Sequence, residues 1–125
     1  MAEPLGLLLL SGGHERAHYA FVLAAGAAAL GRPVTLFATN EGCRALCADL
    51  APLANAGRDV AARAAGVAGI AELRAAAVEL GVRMLACEAG LRMAHLAAAD
   101  LLAGVEVAGV ATFLAATAGG QVVSL

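Results

Sequence analysis

The sequence predicts an α/β fold, a three-layer α/β/α sandwich built on a five-stranded, mainly parallel sheet. Three observations carry that expectation. Short apolar runs of five or six residues alternate along the chain with longer alanine-rich segments, the texture of strands joined by helices. The apolar runs are nearly continuous rather than broken by every second residue, as expected of strands covered on both faces. The long segments stop at glycines such as Gly31 and Gly81, where a helix terminus favours a residue without a side chain.

Each element follows from its local pattern. Residues 5–10 form an apolar run closed by Ser11-Gly12-Gly13, a strand and a turn. Residues 14–30 are good helix formers, and the β-branched, apolar residues 33–38 give the second strand. Residues 39–42 read as a loop and 43–50 as a short helix. The segment 51–66, with Pro52, Asn55, Gly57 and the charged Arg58, Asp59 and Arg63, reads as an irregular, mobile surface stretch with a helical turn at most. Residues 70–80 form a helix whose wet face carries Glu72, Arg74 and Glu79. Residues 82–86 are the third strand, 88–96 a helix, 100–102 a turn, 105–110 the fourth strand, 112–118 a helix and 121–125 the fifth strand. No repeat or internal boundary interrupts this order, so one domain over residues 1–125 is expected.

Composition narrows the function classes. Hydrophobic residues make up 62% and charged residues 14%, which excludes disorder. Small side chains supply much of that apolarity, so a partner subunit is expected to complete the burial. All eight basic residues are arginines spread without a run, and the net charge is -2, so nucleic acid is not an expected partner. The mean hydropathy of +0.83 raises the question of a membrane span. Residues 19–30 are too short to cross, and residues 101–120 are broken by Gly104, Glu106 and Gly109; a span needs about 20 unbroken apolar residues. The start Met1-Ala2-Glu3-Pro4 lacks the basic opening of a signal peptide, and three cysteines are an odd number for a disulfide scaffold. A cytoplasmic protein with free thiols is expected.

In a sheet of this kind reactive groups gather beyond the carboxyl ends of the strands. Ser11, Gly12, Gly13 and His14 follow the first strand, Thr39 to Cys43 the second, Cys87 and Glu88 the third, and Ala111 and Thr112 the fourth. Cys87 stands out because a thiol between a strand end and a helix start meets N–H groups that favour its thiolate. Its bland alternative is a small buried hydrophobe. Glu88 beside it works against the thiolate. Cys43, with Cys47 four residues on, is a candidate second thiol, or a replacement for one of the many alanines. No Cys-x-x-Cys pair exists, so no metal site is expected. His14 is a candidate proton partner, or a solvated first-turn residue. His18 is expected to pack or face an interface, and His95 to meet a helix end. The turn Ser11-Gly12-Gly13 lacks the Gly-Lys-Ser/Thr of a phosphate loop and the third glycine of a dinucleotide fingerprint. It remains suited, with the backbone of Asn40 and Glu41, to cradling a small anion.

Four segments resemble one known family. They are Leu10-Ser11-Gly12-Gly13-His14-Glu15-Arg16-Ala17, the stretch from Ala28 through Gly31-Arg32-Pro33 to Phe37, Val82-Arg83-Met84-Leu85-Ala86-Cys87-Glu88-Ala89, and Gly104-Val105-Glu106-Val107-Ala108-Gly109 continuing to Leu114. In order and at this spacing they resemble the DsrE/DsrF-like (TusD/YchN-like) family of sulfur-handling proteins. That resemblance implies the α/β/α fold, assembly into homotrimers or hexamers, and no cofactor. It also implies that Cys87 accepts a sulfane sulfur as a persulfide and passes it to a partner, a TusA-like carrier or a rhodanese-like protein, in sulfur oxidation or thiolation. Cys43 and Cys47 match no cysteine pattern of the family. A thiol redox protein using Cys43 and Cys87, or a non-catalytic oligomeric module of the same fold, stand as alternatives.

Overall fold

A computed structural model describes residues 2–125. Five strands and five α-helices follow one another as β1 (Leu5–Leu9), α1 (His14–Ala29), β2 (Val34–Ala38), α2 (Arg58–Ala64), α3 (Ile70–Glu79), β3 (Arg83–Cys87), α4 (Glu88–Met93), β4 (Glu106–Ala108), α5 (Val110–Ala116) and β5 (Gln121–Ser124). Two short 3-10 helices, Asn40–Leu46 and Ala98–Asp100, lie between them. The strands form one sheet in the order β4-β3-β2-β1-β5, and every adjacent pair is parallel. The α/β/α sandwich expected from the alternating texture is the observed architecture.

Alternation along each strand divides the core in two. Leu5, Leu7 and Leu9, Leu36 and Ala38, and Met84 and Ala86 pack with Phe21 of α1 and Ile70 of α3. Phe37 and Leu85 point the other way, against Phe113 of α5, with Leu8 beside them. Phe37 and Phe113 stack with ring centroids 5.2 Å apart. At about 25 cal/mol per Å² of apolar surface, the first core is the main source of stability. The second is a patch under a single seven-residue helix.

Four local expectations need correction. The helix expected over 43–50 is instead a 3-10 helix that begins at Asn40, inside the expected loop. It ends because Cys47 straightens to pair antiparallel with Leu101, with Ala48 N–H donating to Asp100 O at 2.9 Å and Leu102 N–H to Leu46 O at 2.9 Å. The segment 51–66 carries a formed helix, α2, and is tied down at its start: His14 N–H donates to Ala54 O at 2.8 Å and Ala54 N–H to Gly12 O at 2.9 Å. Arg74, expected on the wet face of α3, is buried. Its Nη1 donates to Ala45 O at 2.9 Å and Cys47 O at 2.7 Å, serving the open carbonyls at the end of the 3-10 helix. The helix expected over 88–96 stops at Met93, because His95 adopts the left-handed conformation, φ 56°, and Leu96 N–H folds back to Leu91 O at 2.9 Å.

Candidate functional site

Cys87 is both the last residue of β3 and the N-cap of α4. Its sulfur is half-buried and accepts the Gly90 N–H at 3.4 Å. The side chain lies on the α5 side of the sheet, against the Phe37–Leu85–Phe113 patch. Glu88, the neighbour expected to oppose a thiolate, turns away and pairs with Arg92 at 2.9 Å.

Two glycines bring the neighbouring turns against this point. A Cβ on Gly90 would come 2.6 Å from Asn40 N and 2.9 Å from Thr39 Oγ1, so only glycine lets α4 start flush against the end of β2. A Cβ on Gly12 would come 2.6 Å from Glu41 Cβ. The first turn of α4, the segment from Thr39 to Glu41 and the Ser11–Gly13 turn therefore form one continuous rim. Ser11 Oγ accepts the Gly13 N–H at 3.1 Å, and Asn40 takes the left-handed φ of 51° that an asparagine tolerates. Arg44 fastens the rim from outside, donating from Nη2 to Ala94 O at 3.1 Å and pairing with Glu41 at 3.3 Å. Gly90 and Arg44 did not stand out in the sequence. The only signal for Gly90 was a glycine in the first turn of a helix, where it costs stability unless close packing requires it.

The other candidates separate. Cys43 is fully buried. Burial, with the nearby Cys87 adding to it, pushes its pKa up to about 11, against the pull of the Cys87 backbone N–H. Cys47 is also buried, and burial together with Asp100 raises its pKa. His14 turns to the opposite side of the sheet, where it lines a cavity with Leu53, Asp59 and Ile70. Its Nε2 meets Asp59 Oδ1 at 2.8 Å, and it stacks on His18 with centroids 5.4 Å apart. Asp59 also accepts the Ile70 N–H at 2.9 Å. Burial opposes ionisation of Asp59, but these two hydrogen bonds and the charges of His14 and Arg63 outweigh it and hold the carboxyl below its usual pKa. An ionised carboxylate only accepts, so His14 carries its proton on Nε2. His14 is therefore a fastening between α1, α2 and α3 and is not brought to Cys87. Arg58 is paired with Glu15, and Arg63 with Asp59 and Glu72. Among the described residues no group of three or more His, Cys, Asp or Glu side chains converges to hold a metal, and no helix is long and apolar enough to cross a membrane.

Comparison with known proteins places this geometry. The model of the DsrE/DsrF/DrsH-like family matches residues 54–123, which include β3, Cys87, α4 and β4. The chain belongs to that family. As a DsrE-like protein it shares its fold with the ychN protein from E. coli, with a TM-score of 0.74 at 14% identity over 100% of both chains. It also resembles MTH1491 from Methanobacterium thermoautotrophicum, a protein described as of unknown function, with a TM-score of 0.60 at 20% identity over 98% of this chain and 99% of that one. No curated protein sequence matches the chain.

Proposed function

We propose that this DsrE-like protein carries sulfur, with Cys87 accepting a sulfane sulfur as a persulfide and relaying it to a partner protein. The observation that carries the reading is the half-buried Cys87 at a strand end, with the Gly90 N–H donating to its sulfur at 3.4 Å, in a chain of this family. The Cys87 thiolate attacks the outer sulfur of a donor R–S–SH. The donor S–S bond breaks, RS⁻ leaves, and Cys87–S–SH forms, with no net oxidation. The reverse exchange delivers the sulfur to an acceptor thiolate. The rim of Ser11, Gly12, Gly13, Asn40 and Glu41 is the candidate contact for the incoming group, through backbone N–H donors.

The counterpart in this reading is a protein, a TusA-like carrier or a rhodanese-like donor, in the cytoplasm. Met93, Val110 and Leu114 are exposed apolar side chains on the two helices that border Cys87, a surface better suited to a protein than to a small solute. Val122 of the edge strand β5 is a further exposed apolar side chain, and together these support a homotrimer or hexamer in which copies cover the α5 face. The chain acts as one domain over residues 1–125, and the exchange needs no cofactor.

Intact mass after incubation with a persulfidated donor tests the proposal. The wild type and Cys43→Ser gain one sulfur, and Cys87→Ser gains none. Sulfur uptake by Cys87→Ser overturns the assignment of Cys87 as the carrier, and native Cys87 that resists alkylation as a buried thiol would overturns the reading in favour of a non-catalytic module.

A further inference from the structure

Thr39 stands on the rim without a task in this reading. It follows Ala38, the last residue of β2, and its backbone stays extended, at φ -138° and ψ 168°. Its N–H donates to Leu9 O at 3.0 Å, so the β1–β2 ladder runs on through Thr39. On the other side of β2, the ladder to β3 pairs Phe37 with Leu85 and Ala38 with Ala86. The next rung sets Thr39 level with Cys87. Side chains alternate along a strand and agree across a rung. Phe37 and Leu85 lie on the α5 side, Ala38 and Ala86 in the larger core. Thr39 therefore shares the α5 side with Cys87. The rung continues past Cys87 to Ala108, which has no polar side-chain atom, so a hydroxyl reaches this row from the β2 side.

Gly90 gives a second, independent measure of the same juxtaposition. Its N–H meets Cys87 Sγ at 3.4 Å, and a Cβ on it would come 2.9 Å from Thr39 Oγ1. One residue without a side chain lies against both the thiol and the hydroxyl. Thr39 is half-buried. Among the described residues no hydrogen bond engages its Oγ1, whereas Ser11 Oγ on the same rim already accepts the Gly13 N–H at 3.1 Å.

We infer that Thr39 is a further catalytic residue, whose hydroxyl donates a hydrogen bond to the outer sulfur of the Cys87 persulfide. The inference rests on the reading of Cys87 as the sulfur carrier and names the group that holds its cargo. The geometry separates the persulfide from the free thiol. Adjacent strands lie about 4.8 Å apart, too far for side chains on one rung to bond through their first atoms, and the bond made to the unloaded sulfur is that from Gly90. An S–S bond adds about 2 Å, which spans the gap to Oγ1. The covalent balance is that of the exchange itself: Cys87–S–SH forms as RS⁻ leaves. The terminal S–H then gives its proton to solvent, and the Thr39 O–H meets the sulfur anion in a charge-assisted bond. Thr39 thus acts once sulfur has arrived and leaves the free thiol as it was.

The test compares wild type, Thr39→Val and Thr39→Ser in the full chain. Valine keeps the branched shape and removes the hydroxyl; serine keeps the hydroxyl. Each protein is equilibrated with a fixed ratio of glutathione persulfide to glutathione, and the persulfide-to-thiol ratio at Cys87 is read by peptide mass. The rate of alkylation of unloaded Cys87 by iodoacetamide is read against pH. Melting curves identify a valine variant that fails to fold, in which case Thr39→Ala replaces it. The expected result is that valine lowers the persulfide-to-thiol ratio about tenfold, the size of a hydrogen bond to a charged atom, at an unchanged alkylation profile, and that serine restores the ratio. An unchanged ratio in the valine variant overturns the inference. So does an alkylation profile that shifts along with the ratio, which would place the effect on the thiol or the fold, and so does a serine variant as weak as valine. If the wild type takes up no sulfur, the carrier reading fails and Thr39 falls with it; if the wild type loads and valine loads equally, Thr39 alone is removed.

Discussion

The two faces of the sheet are built to different depths. On one, α1 and α3 lie over Leu7, Leu9, Leu36 and Met84, and Phe21 and Ile70 are sealed between the layers. On the other, α5 covers Phe37 and Leu85 with Phe113 alone and leaves Val110 and Leu114 in solvent. Burial of apolar surface is what holds a chain of this size together, so the first face does most of the folding. The second has apolar area left for another molecule. Cys87 lies on that second side, and Cys43, behind it, is sealed in the first. Two thiols close to one strand end thereby receive opposite environments, one half-buried at the surface and one sealed in the core.

The largest effect that would break this contrast is in the deep core. Phe21→Ala is expected to cost about 3–5 kcal/mol, read as the shift in urea midpoint at unchanged slope. A loss under about 1 kcal/mol would mean that the α1/α3 face is not the main source of stability.

Next comes the fastening on the same side. Asp59→Asn is expected to cost about 1–3 kcal/mol, because it weakens the charged acceptor for His14 and for the Ile70 N–H. The folded carboxyl titrates below its usual value. Its contribution is therefore complete above the unfolded pKa of about 3.9 and lost as pH falls through the lower folded value. Wild-type stability should decline on acidification below about pH 4, and Asp59→Asn should decline less. Equal slopes for the two proteins would remove Asp59 from the account.

The smallest effect belongs to the open face. Leu114→Ser is expected to change the stability of a single chain by less than about 0.5 kcal/mol. Sizing chromatography sharpens the comparison, since a shift of Leu114→Ser to smaller species is the outcome expected where further copies cover α5. A stability loss comparable to that of Phe21→Ala would show that the two faces are not unequal after all.

Much of the fold was legible because its signals are local. Strand runs, the glycine stops at Gly31 and Gly81, and the junction at Cys87 depend on residues within a few positions of one another, and each is found where its neighbours point. Most of the departures involve distant partners, the early stop of α4 at His95 being local. Arg74 looks like a surface residue until the carbonyls of Ala45 and Cys47 are placed beside it. His14 looks free for Cys87 until Asp59, far along the chain, accepts its Nε2 hydrogen bond. The 3-10 helix stops at Leu46 because Leu101 arrives to pair with Cys47.

By itself the sequence determined the α/β class, the order of elements and the placement of Cys87 where a strand gives way to a helix, because periodicity and helix stops are short-range effects of side-chain shape. Only the tertiary structure decided what surrounds that sulfur. It took the packing of separate segments to bring Gly12 against Glu41 and Gly90 against Asn40, to turn His14 toward Asp59, and to bury the Cys43 thiol against Ala38 O at the end of β2. Hydrogen-bond partners and burial are properties of the assembled layers, and no stretch of neighbouring residues contains them.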